Sequence, residues 1–146
     1  EGCKANHSIA LLVRIAAEMG VSVADFVNGA TAPPVHLIGA DEIPELWRGD
    51  SGGSARLVAG TSGPDMLELW QWKMHPGERF ESTGHPTGTS ELLFVTRGSL
   101  TLSVDGSDYA IEEGCSAVAR TDLPHAYSCR TNTVVEFTMT VYEKHL

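Results

Sequence analysis

Long apolar runs are missing from this 146-residue chain. None approaches the ~20 residues that a helical membrane span requires. No basic segment leads into an apolar one, so no secretory leader is visible; the chain reads as cytoplasmic, with no membrane partner. Cysteine is scarce as well, with only Cys3, Cys115 and Cys129. An odd number at wide spacing builds no disulfide framework, fits a reducing compartment, and lacks the paired spacing of a zinc knuckle. Positive charge is in short supply: 10 Lys and Arg stand against 19 Asp and Glu, a formal net charge of −9. A surface that acidic repels phosphate backbones, so these residues by themselves are a poor nucleic-acid binder. There is no internal repeat and no low-complexity tract. No phosphate-cradling glycine loop, nucleophile–base pairing or paired-carboxylate signature is present either. No catalytic residue is assigned.

The length suffices for one barrel or sandwich, with roughly thirty residues left over. Those residues lie at the N-terminus. Ser8 is a suitable N-cap, and Ile9, Leu12, Val13, Ala16 and Met19 follow as one apolar stripe. Gly20 stands where a left-handed residue ends a helix. Ser22 opens a second, shorter helix anchored by Phe26 and Val27. Two short helices bury no core of their own, so they are expected to pack on the barrel, on a partner chain or on further helices upstream. The chain starts with Glu rather than Met, so a piece of a longer protein is expected. Residues 29–34 read as a linker stiffened by Pro33 and Pro34.

From residue 35 the pattern turns to strands. Val35 to Ile38, Glu45 to Arg48 and Ala55 to Ala59 read as short strands. Met66 to Met74 is stronger, with Trp70, Trp72 and Met74 on one face and Leu67, Leu69, Gln71 and Lys73 on the other. Leu92 to Val95 is apolar on both faces, which predicts a central strand. Leu100, Leu102 and Val104 alternate with polar residues up to Asp105-Gly106, a hairpin signal. Val135, Phe137, Met139 and Val141 alternate just as cleanly. Many short strands at about ten-residue intervals, broken by Gly and Pro turns, mean a mainly β protein, an antiparallel barrel or sandwich.

Residues 77–129 hold three metal-capable side chains: His85, Glu91 and His125. Their spacing resembles the two motifs of the cupin family, small β-barrels of the jelly-roll type. Gly77 is followed by five residues; Thr83 then stands at the family's first histidine position and His85 at the second. Five residues precede Glu91, and six more lead to Gly98. Gly114 and His125 fit the second motif, with Arg120, Asp122 and Cys129 replacing its Pro, Gly and Asn. The resemblance implies a cupin barrel over residues 35–146 and a metal site with one of four family ligands missing. Two imidazoles and a carboxylate suit zinc or iron with open coordination positions. The other reading of the same residues is a metal-free pocket in which His85 and His125 bond a small molecule or Glu91. Thr83 is a poor ligand whose hydroxyl suits a coordinated water. Arg79, four residues before Thr83, shares its parity in an extended segment and is a candidate for an anionic ligand, or else a solvated edge residue. Tyr127, two residues from His125, is expected to line the pocket or fill the barrel.

Residues 1–28 resemble the end of a phage-repressor-type helix-turn-helix domain. Leu12, Ile15, Ala16, Gly20, Val21 and Ser22 match its penultimate helix and the turn that follows. That family often has Pro before the helix, where this chain has His7. The two resemblances in this order imply a cupin-domain transcriptional regulator. The implied function is a barrel that senses a small polar effector and modulates binding of operator DNA by an N-terminal domain largely outside this chain. A homodimer is implied too. The alternative is a metal-dependent cupin enzyme, a dioxygenase or isomerase. A third reading is a non-catalytic barrel that only dimerises a partner.

Overall fold

The computed structural model describes residues 34–145. After a short 3₁₀ turn at Ala40–Glu42 come ten strands: β1 (Glu45–Arg48), β2 (Ser54–Gly60), β3 (Met66–Met74), β4 (Arg79–Ser82), β5 (Ser90–Arg97), β6 (Ser99–Val104), β7 (Ser107–Glu112), β8 (Ser116–Arg120), β9 (His125–Ser128) and β10 (Val135–Glu143). They build two antiparallel sheets. One has the order β1-β2-β3-β10-β5-β8, the other β4-β9-β6-β7. The chain changes sheet between β3 and β4, and again at nearly every later connection, so residues distant in sequence face each other across the interior.

Alternation decides which side chains enter that interior. In β3, Met66, Glu68, Trp70, Trp72 and Met74 are buried, and Leu67, Leu69 and Gln71 are exposed. β10 buries Val135, Phe137, Met139 and Val141 and lies between β3 and β5, pairing Phe137 with Trp72 and Met139 with Trp70. Large rings fill the middle. Trp72 stacks on Phe137 at 5.7 Å and meets Phe80 and Tyr127 of the facing sheet at 5.2 Å each. Burying a side chain of that size contributes about 1.5–3 kcal/mol, so this cluster ties the two sheets together. The hairpin signal is met by a two-residue loop: Val104 pairs with Ser107, and Asp105 and Gly106 have φ of 48° and 82°. That is the type I′ geometry matched to strand twist.

Two expectations need correction. Val35 to Ile38 form no strand; Val35 and Leu37 stand 71% and 85% exposed. Leu92 to Val95 lie in β5, but β5 is next to the edge strand β8 rather than central. Only Leu93 and Val95 face inward, while Leu92 and Phe94 are about half exposed. The N-terminal helices and almost all of the linker fall outside the described residues.

Candidate functional site

Glu91 comes from β5 of the larger sheet, where it pairs with Val141 of β10 and Ala119 of β8. His125 opens β9 of the smaller sheet, between Ser82 of β4 and Val104 of β6. His85 lies in the β4–β5 loop. Its backbone N–H donates to Thr121 O at 2.8 Å, which fixes the loop against the β8–β9 connection. Gly84 makes this approach possible. Its φ is +114°, and a Cβ there would lie 2.9 Å from Asp122 O.

The three side chains converge. One ligand atom from each lies within 4.8 Å of the others. His85 Nε2 is 3.3 Å and His125 Nε2 3.6 Å from Glu91 Oε1, and Glu91 is fully buried. Around them is a cavity of about 60 Å³ with mainly apolar walls, among them Met66, Trp70, Phe80 and Met139. That is room for a few waters or for a ligand of a few heavy atoms.

The donor set fits a divalent cation. His125 Nδ1 lies 2.8 Å from the carbonyl of Leu123, which only accepts, so in the neutral ring Nδ1 carries the proton and Nε2 keeps its lone pair. His125 Nε2 and Glu91 Oε1 are both buried without a hydrogen-bond partner. Tyr127 donates to the other carboxylate oxygen, Glu91 Oε2, at 2.5 Å, orienting Oε1 toward the imidazoles. The titration of these groups reflects the crowding. Burial alone would push Glu91 up, but the contact with His85, the facing His125 and the Tyr127 bond hold it below the ordinary carboxylate value. For His85 burial works downward, yet contact with Glu91 and the charges of Glu91, Glu143 and Glu68 win and raise it. His125 is lowered, chiefly by burial. Tyr127 is raised well above its usual value by burial and by Glu91, so its hydroxyl stays a donor.

Thr83 lines the same cavity. It does so although β4 ends at Ser82 and Gly84 breaks the extended path, so simple parity between residues 83 and 85 is not the cause. Arg79 is elsewhere. It points outward from β4, with Nε 2.7 Å from Glu81 Oε1, while Phe80 takes the inward position. The irregular segment after Ser82 is why counting back from Thr83 misplaces it.

Sequence reading passed over two carboxylates. Glu68 shares the buried face of β3, lines the cavity, and accepts from Trp70 Nε1 at 3.0 Å. Its signal was an acid at an inward position of a strand otherwise apolar on that face. Glu143 ends β10 on the inward parity, with Oε2 4.0 Å from His85 Nδ1. Burial raises its pKa.

Residues 70–142 match the family described as "Cupin domain". The chain belongs to the cupin family. This cupin is similar to the HTH-type transcriptional regulator PuuR of Escherichia coli, with 28% identity over 132 residues, covering 86% of this chain and 67% of PuuR. It is also similar to the cupin domain of an XRE family transcriptional regulator from Enterobacter cloacae, at 26% identity and a TM-score of 0.50, covering 55% of this chain and 81% of that one. It shares its fold with an HTH_3 family transcriptional regulator from Vibrio cholerae, at 18% identity and a TM-score of 0.65, covering 93% and 72%. The resemblance to cupin-domain transcriptional regulators therefore rests on the barrel itself and on sequence relatives. Among the described residues of this cupin no helix is long and apolar enough to cross a membrane.

Proposed function

We propose that residues 35–146 are the effector-sensing barrel of a cytoplasmic transcriptional regulator, and that His85, Glu91 and His125 hold a divalent zinc or iron ion inside it. The observation that carries the metal is the buried pair of unsatisfied atoms, Glu91 Oε1 and His125 Nε2, in a cavity with few other polar walls. Leaving such groups bare costs about 1–3 kcal/mol each, and a cation removes that cost. When bound, the ion supplies a Lewis-acidic attachment point for an oxygen or nitrogen of the effector. The chain's own residues do the rest. Tyr127 and Leu123 orient the donors, Thr83 offers a hydroxyl on the side where the family's first histidine is missing, and the apolar walls keep bulk water out.

Regulation on this reading is a population shift. A small polar effector must bind one arrangement of barrel and DNA-binding heads better than another, or nothing changes. Residues 1–28 are the end of the helix-turn-helix domain, which brings operator DNA, and residues 29–34 are the linker that passes the change on. A homodimer gives two heads for two half-sites. The similarity to PuuR and to the Enterobacter cloacae domain supports the regulator over the enzyme. One observation favours a metal-dependent dioxygenase or isomerase: the two-histidine, one-carboxylate set with its open Thr83 side.

Two measurements test this. Native mass spectrometry and elemental analysis of the purified chain are expected to find about one Zn²⁺ or Fe²⁺ per chain, lost in His125→Ala. Operator binding by the full-length gene product is expected to change when small polar metabolites are added. Metal-free protein that takes up neither ion at micromolar concentration would sink the metal. Oxygen uptake or isomerase turnover by loaded protein, with no effect on DNA, would replace the sensor with the enzyme.

A further inference from the structure

Arg79 has no place in the interior, and the outer face of the smaller sheet shows what surrounds it. Tyr127 points into the barrel, so its neighbours on β9, Ala126 and Ser128, point out. Register sets the outward residues in two rows. Arg79, Ser128 and Thr101 form one, and Glu81, Ala126, Ser103 and Asp108 form the next. Arg79 reaches from its own row to Glu81 in the second. Arg130, two residues past Ser128, also reaches the second row, with Nη1 2.6 Å from Asp108 Oδ2. It does so on the β7 side, so Ser128 lies between the two arginines. Ser128 is 4% exposed, and its Oγ is buried without a hydrogen-bond partner among the described residues.

Where β4 begins and β9 ends, Arg79, Ser128 and Arg130 line a groove of about 490 Å³. Its floor is fixed by backbone hydrogen bonds. Gly77 N–H donates to Cys129 O at 2.9 Å, and Cys129 N–H donates to Glu78 O at 3.0 Å. Glu78 is an acid in the wall, but its carboxylate is already engaged. It accepts from the N–H groups of Ser51, Gly53 and His75 in the neighbouring loops.

Donors outnumber acceptors at this groove. Arg79 gives Glu81 its Nε–H, and Arg130 engages Asp108 through Nη1. A guanidinium carries five N–H groups, so most of each fork is left over. Both ion pairs are about half exposed, and pairs of that kind hold weakly and part easily. A planar carboxylate is satisfied by one fork. A tetrahedral phosphate has three terminal oxygens, which take two forks and a hydroxyl from different directions. The chain as a whole, at −9, repels anions, so one is retained only where such donors converge.

We propose that this groove binds the phosphate group of a small molecule. Arg79 and Arg130 hold its oxygens from two sides, and Ser128 Oγ–H donates from between them. The site lies on the opposite face of the sheet from His125, three residues along the same strand. It rests on neither the metal nor the regulator reading above.

Inorganic phosphate, titrated into the 146-residue chain at constant ionic strength, is the first probe. Saturable shifts are expected in the amide signals of residues 77–79 and 128–132 in nitrogen–proton correlation spectra. Arg79→Gln and Arg130→Gln are each expected to raise the dissociation constant about tenfold or more, and Ser128→Ala about threefold. Both arginines are exposed, so far-UV circular dichroism is expected to stay unchanged. Arg56→Gln, an equal charge change on the larger sheet, is expected to leave phosphate binding as it was. The same loss in Arg56→Gln would mean that net charge alone governs uptake, and overturns the proposal. So does the absence of saturable shifts in the unaltered chain. A phosphate held by a cation inside the barrel would survive both arginine variants, and that result overturns it as well. Acetate at equal ionic strength is expected to bind more weakly; equal affinity for acetate overturns the assignment to phosphate.

Discussion

Glu91 is the residue on which the interior chemistry turns. Its side chain is fully buried, and its two oxygens face different partners: Tyr127 on one, the imidazoles of His85 and His125 on the other. Tyr127→Phe removes a donor to a charged acceptor, so a loss of about 1.5–3 kcal/mol is expected in urea titrations. Metal affinity is expected to fall with it, because Glu91 is no longer oriented. The histidines give the metal-free protein a pH signature. His125 has a folded pKa below its ordinary 6.5, so its contribution is present above 6.5 and lost as pH falls through the lowered value. His85 is raised above 6.5, so its contribution is full below 6.5 and lost as pH rises through the raised value. The two histidines together are expected to place a stability maximum near pH 6.5 in metal-free protein. His85→Gln is expected to remove the alkaline decline, as urea midpoints across pH will show. Metal uptake has the opposite slope on that side: both rings must be neutral to bind, so affinity is expected to keep rising with pH.

At the scale of elements, the β4–β5 loop carries the site's least regular geometry. Gly84→Ala forces a Cβ against the Asp122 carbonyl at a φ of +114°. A destabilisation of about 1–3 kcal/mol is expected, together with displacement of His85 and weakened metal binding. Gly88→Ala, also at positive φ but with open space around it, is expected to cost stability and leave metal binding alone. This loop also shows where sequence reading reached its limit. Strands with two-residue alternation, such as Met66–Met74 and Val135–Glu143, announced their inward residues because one face was filled with Trp, Phe and Met. The convergence of His85, Glu91 and His125 was legible from motif spacing. The position of Arg79 was not, because β4 ends at Ser82 and strand parity does not carry into the irregular segment that holds Thr83. Leu92 and Phe94 misled for another reason. An apolar residue reads as buried unless something outside the chain explains its exposure.

The whole molecule is two sheets held apart and together by one interior. Half of that interior is the ring cluster around Trp72, and Phe137→Ala is expected to cost about 3–5 kcal/mol in urea unfolding, because the cavity it leaves spans both sheets. The other half is the cavity around the buried donors, with Glu91 from one sheet and His125 from the other. A bound cation is expected to raise the thermal midpoint, and a chelator to lower it again. Glu68 in the cavity wall and Glu143 beside His85 explain why the site's full composition stayed hidden in the sequence. Each is a single acid on an apolar face, without motif spacing to mark it. The cross-sheet placement of the donors has a mechanical corollary. Whatever lodges between Glu91 and His125 sets the separation of the two layers, as a spacer does. A bound group that tightened or widened that separation would alter the curvature of β5 and β8. A change inside the cavity would then reach the outer face of the larger sheet through the thickness of that sheet, with no moving loop required.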